Sequence, residues 1–132
     1  MSGWDAYITT IVGASSAIKR AAIIDATSGA IWACTEDVNT FAASKAELQK
    51  FVSLFKNLSD VPAQGVDLEN VHYIVPYTDE NLIFGKKDKS GFFAAKSKLA
   101  IVIAIYEGEN QVSAEVRASV EKVAKYMESR GY

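Results

Sequence analysis

The chain is poor in cysteine and histidine, and each shortage excludes a class of protein. Its 132 residues include one cysteine, Cys34, and one histidine, His72. A single cysteine cannot form an internal disulfide, which favours a reducing compartment. One cysteine and one histidine also cannot complete a Cys/His zinc site. No stretch has the biased composition of a disordered linker.

Long apolar runs and an excess of positive charge are missing too. The longest apolar run, residues 99–106, is far shorter than the roughly 20 residues of a membrane helix. The first residues lack the basic and apolar segments of a signal peptide, so we expect a cytoplasmic protein. The formal net charge of -2 argues against nucleic acid as a partner.

The composition that remains is that of one folded domain. Hydrophobic residues make up 49% of the chain and charged residues 23%, the balance of a globular protein. We therefore expect residues 1–132 to form a single domain around one core.

Apolar spacing predicts three helices, over residues 4–12, 44–57 and 113–129. The second begins with a capping box, in which Ser44 is followed three residues later by Glu47. Strands are predicted from alternating or continuous apolar segments bounded by turn residues, over residues 17–25, 30–35, 71–76, 81–86, 92–96 and 99–106.

Two of these strands determine the expected architecture. Residues 21–24 and 99–106 are continuously apolar, which is typical of strands buried on both faces. The short connections favour antiparallel pairing. We therefore predict an α/β (α+β) fold. A central, mainly antiparallel sheet carries the N- and C-terminal helices on one face and the middle helix on the other.

Nothing in the sequence indicates catalysis. Cys34 and His72 lie in strands, outside any recognisable nucleophile context. The Gly85-Lys86-Lys87 segment lacks the upstream glycine and the following Ser/Thr of a phosphate-binding loop. We expect neither an enzyme nor a cofactor or metal site.

Aromatic residues gather near the two ends of the chain. Trp4 and Tyr7 lie one helical turn apart, Tyr126 flanks the apolar stripe of the last helix, and Tyr132 follows it. Trp32 belongs to the second strand. Such rings are often core residues, but terminal segments usually lie at the surface. Exposed aromatic rings suit stiff, extended proline-rich peptides, whose free carbonyls accept hydrogen bonds.

At this point the sequence resembles the profilin family. Trp4-x-x-Tyr7 matches the start of that family, and residues 21–33, with Gly29-Ala30-Ile31-Trp32-Ala33, match its first hairpin. Gly85-Lys86-Lys87 and residues 100–107 follow its later pattern, so the resemblance covers the whole chain in order.

The resemblance implies the fold predicted above and binding without chemistry. Profilins bind monomeric actin, proline-rich segments of actin-assembly factors and anionic phosphoinositides, and they regulate actin polymerisation and nucleotide exchange at the cytoskeleton. The proline-binding positions carry over to Trp4, Tyr7, Trp32, Tyr126 and Tyr132. The actin-binding positions carry over to His72, Ile74, Lys86, Lys87, Lys89, Lys96, Arg117 and Lys122.

Two features bear on actin binding. Five lysines between Lys86 and Lys98 predict a local basic patch, although a solvated strand edge that discourages aggregation would look the same. The glycine-rich segment of many profilins is replaced here by residues 65–70, and we expect Asp67 and Glu69 to add negative charge beside the actin face. Two other functions are alternatives to a protein that binds both actin and proline-rich segments. One is a proline-peptide adaptor without an actin role, and the other is a small-molecule-sensing domain, which would need a ligand cavity.

Overall fold

The computed structural model describes residues 4–36, 40–108 and 110–132. Within these residues helices and strands follow one another as α1 (Trp4–Ala14), β1 (Ile18–Asp25), β2 (Ile31–Cys34), α2 (Lys45–Leu54), α3 (Val61–Gln64), β3 (Val66–Leu68), β4 (Val71–Asp79), β5 (Leu82–Lys87), β6 (Ser90–Lys96), β7 (Ala100–Glu107) and α4 (Asn110–Ser129). A 3₁₀ turn, Leu58–Asp60, precedes α3. In this part of the chain no helix is long and apolar enough to cross a bilayer.

The seven strands form one sheet in the order β2-β1-β7-β6-β5-β4-β3, and all neighbours are antiparallel. Strands β1 and β7 lie side by side near the middle of the sheet and are buried on both faces. Val102 and Ala104 face α1 and α4, whereas Ile101 and Ile103 face α2. The predicted architecture is confirmed, with the terminal helices on one face and α2 on the other.

The predicted capping box is present at the start of α2. The Ser44 Oγ accepts a hydrogen bond from the Glu47 N–H at 3.1 Å, and the Glu47 Oε1 accepts one from the Ser44 N–H at 2.8 Å. The same carboxylate accepts the N–H groups of Glu69 and Asn70, at 3.1 and 2.8 Å. Those two residues form the turn between β3 and β4 with φ of 55° and 62°. Glu47 therefore holds a left-handed turn that lacks glycine.

The structure differs from the sequence-based prediction between residues 58 and 79. The predicted loop contains the 3₁₀ turn, α3 and β3, because segments of three or four residues are too short to show a period. Strand β4 continues to Asp79 instead of ending at Pro76. Its pairing with β5 is irregular between Ile74 and Tyr77, which accommodates the missing N–H of Pro76.

We expect Glu47→Ala to lower the free energy of unfolding by about 2 kcal/mol, since it removes a helix cap and the acceptor of two turn N–H groups. Urea unfolding followed by circular dichroism measures this change. Gln49→Ala, at an exposed position of the same helix, is the control and should stay within about 0.5 kcal/mol of the parent. Equal stabilities of the two variants would contradict the role given to Glu47.

Candidate functional site

The five predicted aromatic residues meet on the face of the sheet that carries α1 and α4, and we call them the aromatic cluster. The ring centroid of Trp4 lies 5.6 Å from that of Tyr7, 4.9 Å from that of Trp32 and 4.7 Å from that of Tyr132. Tyr7 lies 5.9 Å from Tyr126. Tyr126 and Tyr132 are 46% and 40% exposed, so the cluster presents ring surface to solvent.

Helix α1 supplies two rings because its buried side is narrow. Ile8 and Ile11 are the buried residues of this helix and pack on the sheet. Trp4 and Tyr7 lie beside these two buried residues on the helix surface and are only half-buried. The helix thus holds the two rings against the core at one edge and leaves the other edge accessible.

Trp32 reaches the cluster through a β-bulge. Ile23 pairs with Ala33, but Ile24 pairs with Ile31, so Trp32 is the extra residue in β2. Side chains alternate between faces in a regular strand, and Trp32 would then lie on the face opposite Ala33. The bulge re-aims the indole toward Trp4, on the same face as Ala33. Sequence reasoning placed Trp32 in this strand but gave no signal for the bulge.

Tyr132 is returned to the cluster by a chain reversal after α4. Gly131 has φ of 92°, in the left-handed region that glycine tolerates best. The Tyr132 N–H donates to the carbonyl of Met127 at 2.9 Å. Its main-chain oxygen accepts the Ser97 hydroxyl at 2.8 Å and the Leu99 N–H. These bonds fix the ring of Tyr132 edge-on to Trp4.

Arg130 joins the cluster beside Tyr126 and was missed by sequence reasoning. Its Nε and Nη2 donate to the Tyr126 Oη at 3.2 and 3.0 Å, and its guanidinium lies 5.4 Å from the centre of the Tyr126 ring. The sequence feature that could have identified Arg130 is its position four residues after Tyr126, which places the two side chains one helical turn apart.

The side chains of the aromatic cluster suit binding, and the one cysteine of the chain is not activated as a nucleophile. Burial, followed by the charges of Glu36 and Asp5, raises the pKa of the Cys34 thiol, which keeps it protonated. Among the residues that the structure describes, no group of three or more His, Cys, Asp or Glu side chains could hold a metal ion. Ring faces, phenol O–H and indole N–H groups remain, and these suit an extended ligand with free carbonyls.

Two open surface hollows, of about 370 and 200 Å³, lie outside the aromatic cluster. The larger lies between α4 and the β4–β5 turn and includes Asp79 and Glu121, and the smaller lies between α2 and β3. No residue of the cluster lines either hollow. Neither provides an enclosed cavity of the kind that the small-molecule hypothesis requires.

Three of the residues predicted above as actin-binding positions share one surface of β4 and β5. Tyr73 and Val75 of β4 face α2, which leaves His72 and Ile74 on the α4 side. Ile74 is 62% exposed and pairs directly with Lys86 of β5. We call His72, Ile74 and Lys86 the β4–β5 surface.

Arg117, another predicted actin-binding position, forms an ion pair that links α4 to β4. Its Nη2 lies 2.8 Å from the Asp79 carboxylate and its Nε 3.0 Å from that of Glu121, and its guanidinium lies 5.7 Å from the centre of the Tyr77 ring. The hydrogen bond from Arg117 is the main cause that lowers the pKa of Asp79. The charge of Arg117 is therefore already compensated.

The other lysines among the predicted actin-binding positions do not form one patch. Lys87 and Lys89 lie at the β5–β6 turn, whereas Lys96 ends β6, about 20 Å away along the strand. Lys122 lies about 140° around α4 from Arg117. Lys98 is at the same end of the sheet as Lys96. The predicted basic patch is thus divided between two ends of the β5–β6 hairpin.

The charge expected from residues 65–70 is present only in part beside the β4–β5 surface. Asp67 lies there, with its Oδ1 2.8 Å from the Nδ1 of His72. Glu69 instead turns toward α2, where it pairs with the Arg20 Nε at 2.9 Å and accepts the Ala42 N–H at 2.8 Å. Its negative charge is compensated on the opposite face of the sheet.

A seven-stranded antiparallel sheet between two helical layers, with an aromatic cluster beside its terminal helices, defines an α+β binding module. The sequence profile named Profilin matches residues 2–132. The chain is 54% identical to Profilin-1 and 56% identical to Profilin-2 of Caenorhabditis elegans over 132 residues, covering 100% of each chain. The structure of Schizosaccharomyces pombe profilin superposes with a TM-score of 0.87 at 28% identity, over 98% of this chain and 100% of that one.

A profilin II structure from Acanthamoeba castellanii gives a TM-score of 0.84 at 27% identity, with the same coverage of 98% and 100%. The chain belongs to the profilin family. Profilins are regulatory binding proteins and not enzymes, which confirms the prediction that this chain is not an enzyme.

We expect Gly131→Ala and Gly13→Ala to change the free energy of unfolding in opposite directions. Added Cβ atoms at both positions meet nothing within 4 Å, so only the backbone differs. Alanine at the left-handed position 131 should cost about 1 kcal/mol, whereas in helix α1 at position 13 it should stabilise by up to about 1 kcal/mol. Thermal or urea unfolding measures both, and a neutral Gly131→Ala would contradict the reversal described for Tyr132.

Proposed function

We propose that this protein binds monomeric actin through the β4–β5 surface and proline-rich segments of actin-assembly factors through the aromatic cluster. The observation that carries the proposal is the meeting of five aromatic side chains beside the terminal helices of a profilin-family chain. Two structures with the same fold support it. One is mouse profilin IIa in complex with a double repeat from the FH1 domain of mDia1, and the other is a LokiProfilin2/rabbit actin complex.

The dimensions of the aromatic cluster suit a polyproline II helix. The steps from Trp32 through Trp4 and Tyr7 to Tyr126 are 4.9, 5.6 and 5.9 Å between ring centroids. At about 3.1 Å per residue, such a path accommodates at most roughly five residues of this helix. The ligand is stiff before it binds, so docking costs little conformational entropy.

The β4–β5 surface supplies an apolar centre with basic neighbours. Ile74 offers exposed aliphatic area, and Lys86 beside it adds a positive charge. An apolar centre with a charged rim is the usual composition of a protein–protein interface. The lysines at the β5–β6 turn, Lys87 and Lys89, would steer an acidic partner or anionic phosphoinositides.

The two surfaces lie far enough apart to act together. Trp32 belongs to β2 and Ile74 to β4, which stand five strand spacings apart in the sheet, or about 24 Å. Actin held at β4 would leave the aromatic cluster free for a proline-rich factor. Bound actin would be kept from one filament end, and its nucleotide exchange would change through a shift between its conformations. This function places the protein in the cytoplasm, at the cytoskeleton.

The second candidate is a proline-peptide adaptor without an actin role. It is favoured by the contrast between the two surfaces. The aromatic cluster assembles all five predicted residues, whereas the basic residues predicted for actin are divided and Arg117 is already paired. Assembly of actin in the presence of saturating protein distinguishes the two, because an adaptor would leave it unchanged.

We expect Trp4→Ala to abolish retention on poly-L-proline resin, because Trp4 contacts three of the other four rings. Removal of Tyr132 should weaken binding by roughly 1–2 kcal/mol, the loss of one aromatic anchor. Fluorescence titration of the remaining tryptophan gives the affinities, and far-ultraviolet circular dichroism verifies the fold. A Trp4→Ala variant that titrates like the parent would refute the assignment of the cluster.

We expect Ile74→Asp to weaken actin-monomer binding at least about tenfold, since it puts a carboxylate at the apolar centre of the proposed interface. Sequestration of pyrene-labelled actin measures this affinity. The side chain is largely exposed, so the fold and poly-L-proline binding should persist. Trp4→Ala is the reciprocal control and should still sequester actin. Unchanged sequestration by Ile74→Asp would place the actin contact elsewhere.

A further inference from the structure

Arg130 differs from the other two arginines of the chain in what balances its charge. Arg20 is paired with Glu69 at 2.9 Å, and Arg117 is paired with Asp79 and Glu121. Within residues 4–36, 40–108 and 110–132, Arg130 has no carboxylate within ion-pair distance. Its side chain instead contacts the hydroxyl and the ring of Tyr126.

The contacts with Tyr126 hold this uncompensated charge at the border of the aromatic cluster. Two donors, Nε and Nη2, converge on the phenol oxygen at 3.2 and 3.0 Å. A guanidinium has five N–H donors in a planar fork, so the donors on its other edge stay available. Because the phenol oxygen accepts from Arg130, its own O–H is left to donate to a ligand carbonyl.

The Tyr126 end of the aromatic cluster carries positive charge. Lys122 lies one helical turn before Tyr126 on α4, and Arg130 lies one turn after it. A ligand along the cluster therefore meets positive charge at its Tyr126 end.

We propose that Arg130 forms a carboxylate-binding subsite at the Tyr126 end of the aromatic cluster. The cluster then prefers proline-rich segments that carry an aspartate or glutamate beside the prolines on that side. The inference rests on the proposed proline-binding function and adds a determinant of ligand choice. Since a polyproline II helix presents similar surfaces in both chain directions, the position of its acidic residue also fixes the direction in which it docks.

The test uses synthetic peptides with capped ends and a run of about eight prolines, longer than the roughly five that the cluster spans. One carries glutamate after the prolines and one carries it before them. Matched peptides carry glutamine at the same places. Affinities for the full chain come from tryptophan fluorescence titrations at low ionic strength, and again at about 0.5 M salt, where exposed charge pairs are screened.

One of the two glutamate peptides should bind about threefold to fivefold more tightly than its glutamine match, the range of an exposed charge pair. The preference should vanish in Arg130→Gln, persist in part in Arg130→Lys and fade at high salt. Lys56→Gln, at an exposed position beyond α2, removes one charge on the opposite face and should leave the preference intact. The ratio within a peptide pair cancels any general effect of a variant on the cluster.

Equal binding of glutamate and glutamine peptides at both ends would overturn the subsite. So would a preference that survives Arg130→Gln. These results are separate from failure of the proposed function, which appears as no binding of any proline peptide, neutral ones included. In that case the subsite fails together with the cluster that it was assigned to.

Discussion

The pairing of β1 with β7 is the contact on which the rest of the structure depends. Both strands are buried on both faces, so water must be excluded above and below the sheet. Burial of apolar area is the main stabilising term in folding, and it requires a helical layer on each side. Helices α1 and α4 form one layer and α2 the other. Because the two terminal helices share a layer, residues from opposite ends of the chain come within contact distance.

The aromatic cluster exists because of departures from regular structure within this frame. A bulge turns Trp32 to the face of the terminal helices, and the left-handed Gly131 turns Tyr132 back toward Trp4. The reversal at Gly131 is held by neighbouring hydrogen bonds, such as that from Ser97 to the main-chain oxygen of Tyr132. A regular strand and a frayed helix end would leave these two rings apart from Trp4.

Charges in the molecule divide into those that hold it together and those that remain for partners. Glu47 and Glu69 fasten α2 and the β3–β4 turn to the sheet, and Arg117 fastens α4 to β4. Arg130 has the same kind of side chain, but it keeps hydrogen-bond donors available beside Tyr126. Residue type and position in the sequence do not separate these two groups, since an arginine or a glutamate in a helix or turn can belong to either.

The sequence by itself determined the three longer helices, six of the seven strands, the antiparallel α+β architecture and, through the family resemblance, the identity of the five aromatic residues. Periodicity and the Ser44–Glu47 capping box reflect local forces, which act over a few residues and leave a visible pattern. Only the tertiary structure decided which charges are compensated, where Trp32 points and how the lysines divide between two ends of a hairpin. The physical reason is that these outcomes depend on strand register and on partners distant in sequence. A shift of one residue in the pairing of β2 moves an indole from one face of the sheet to the other.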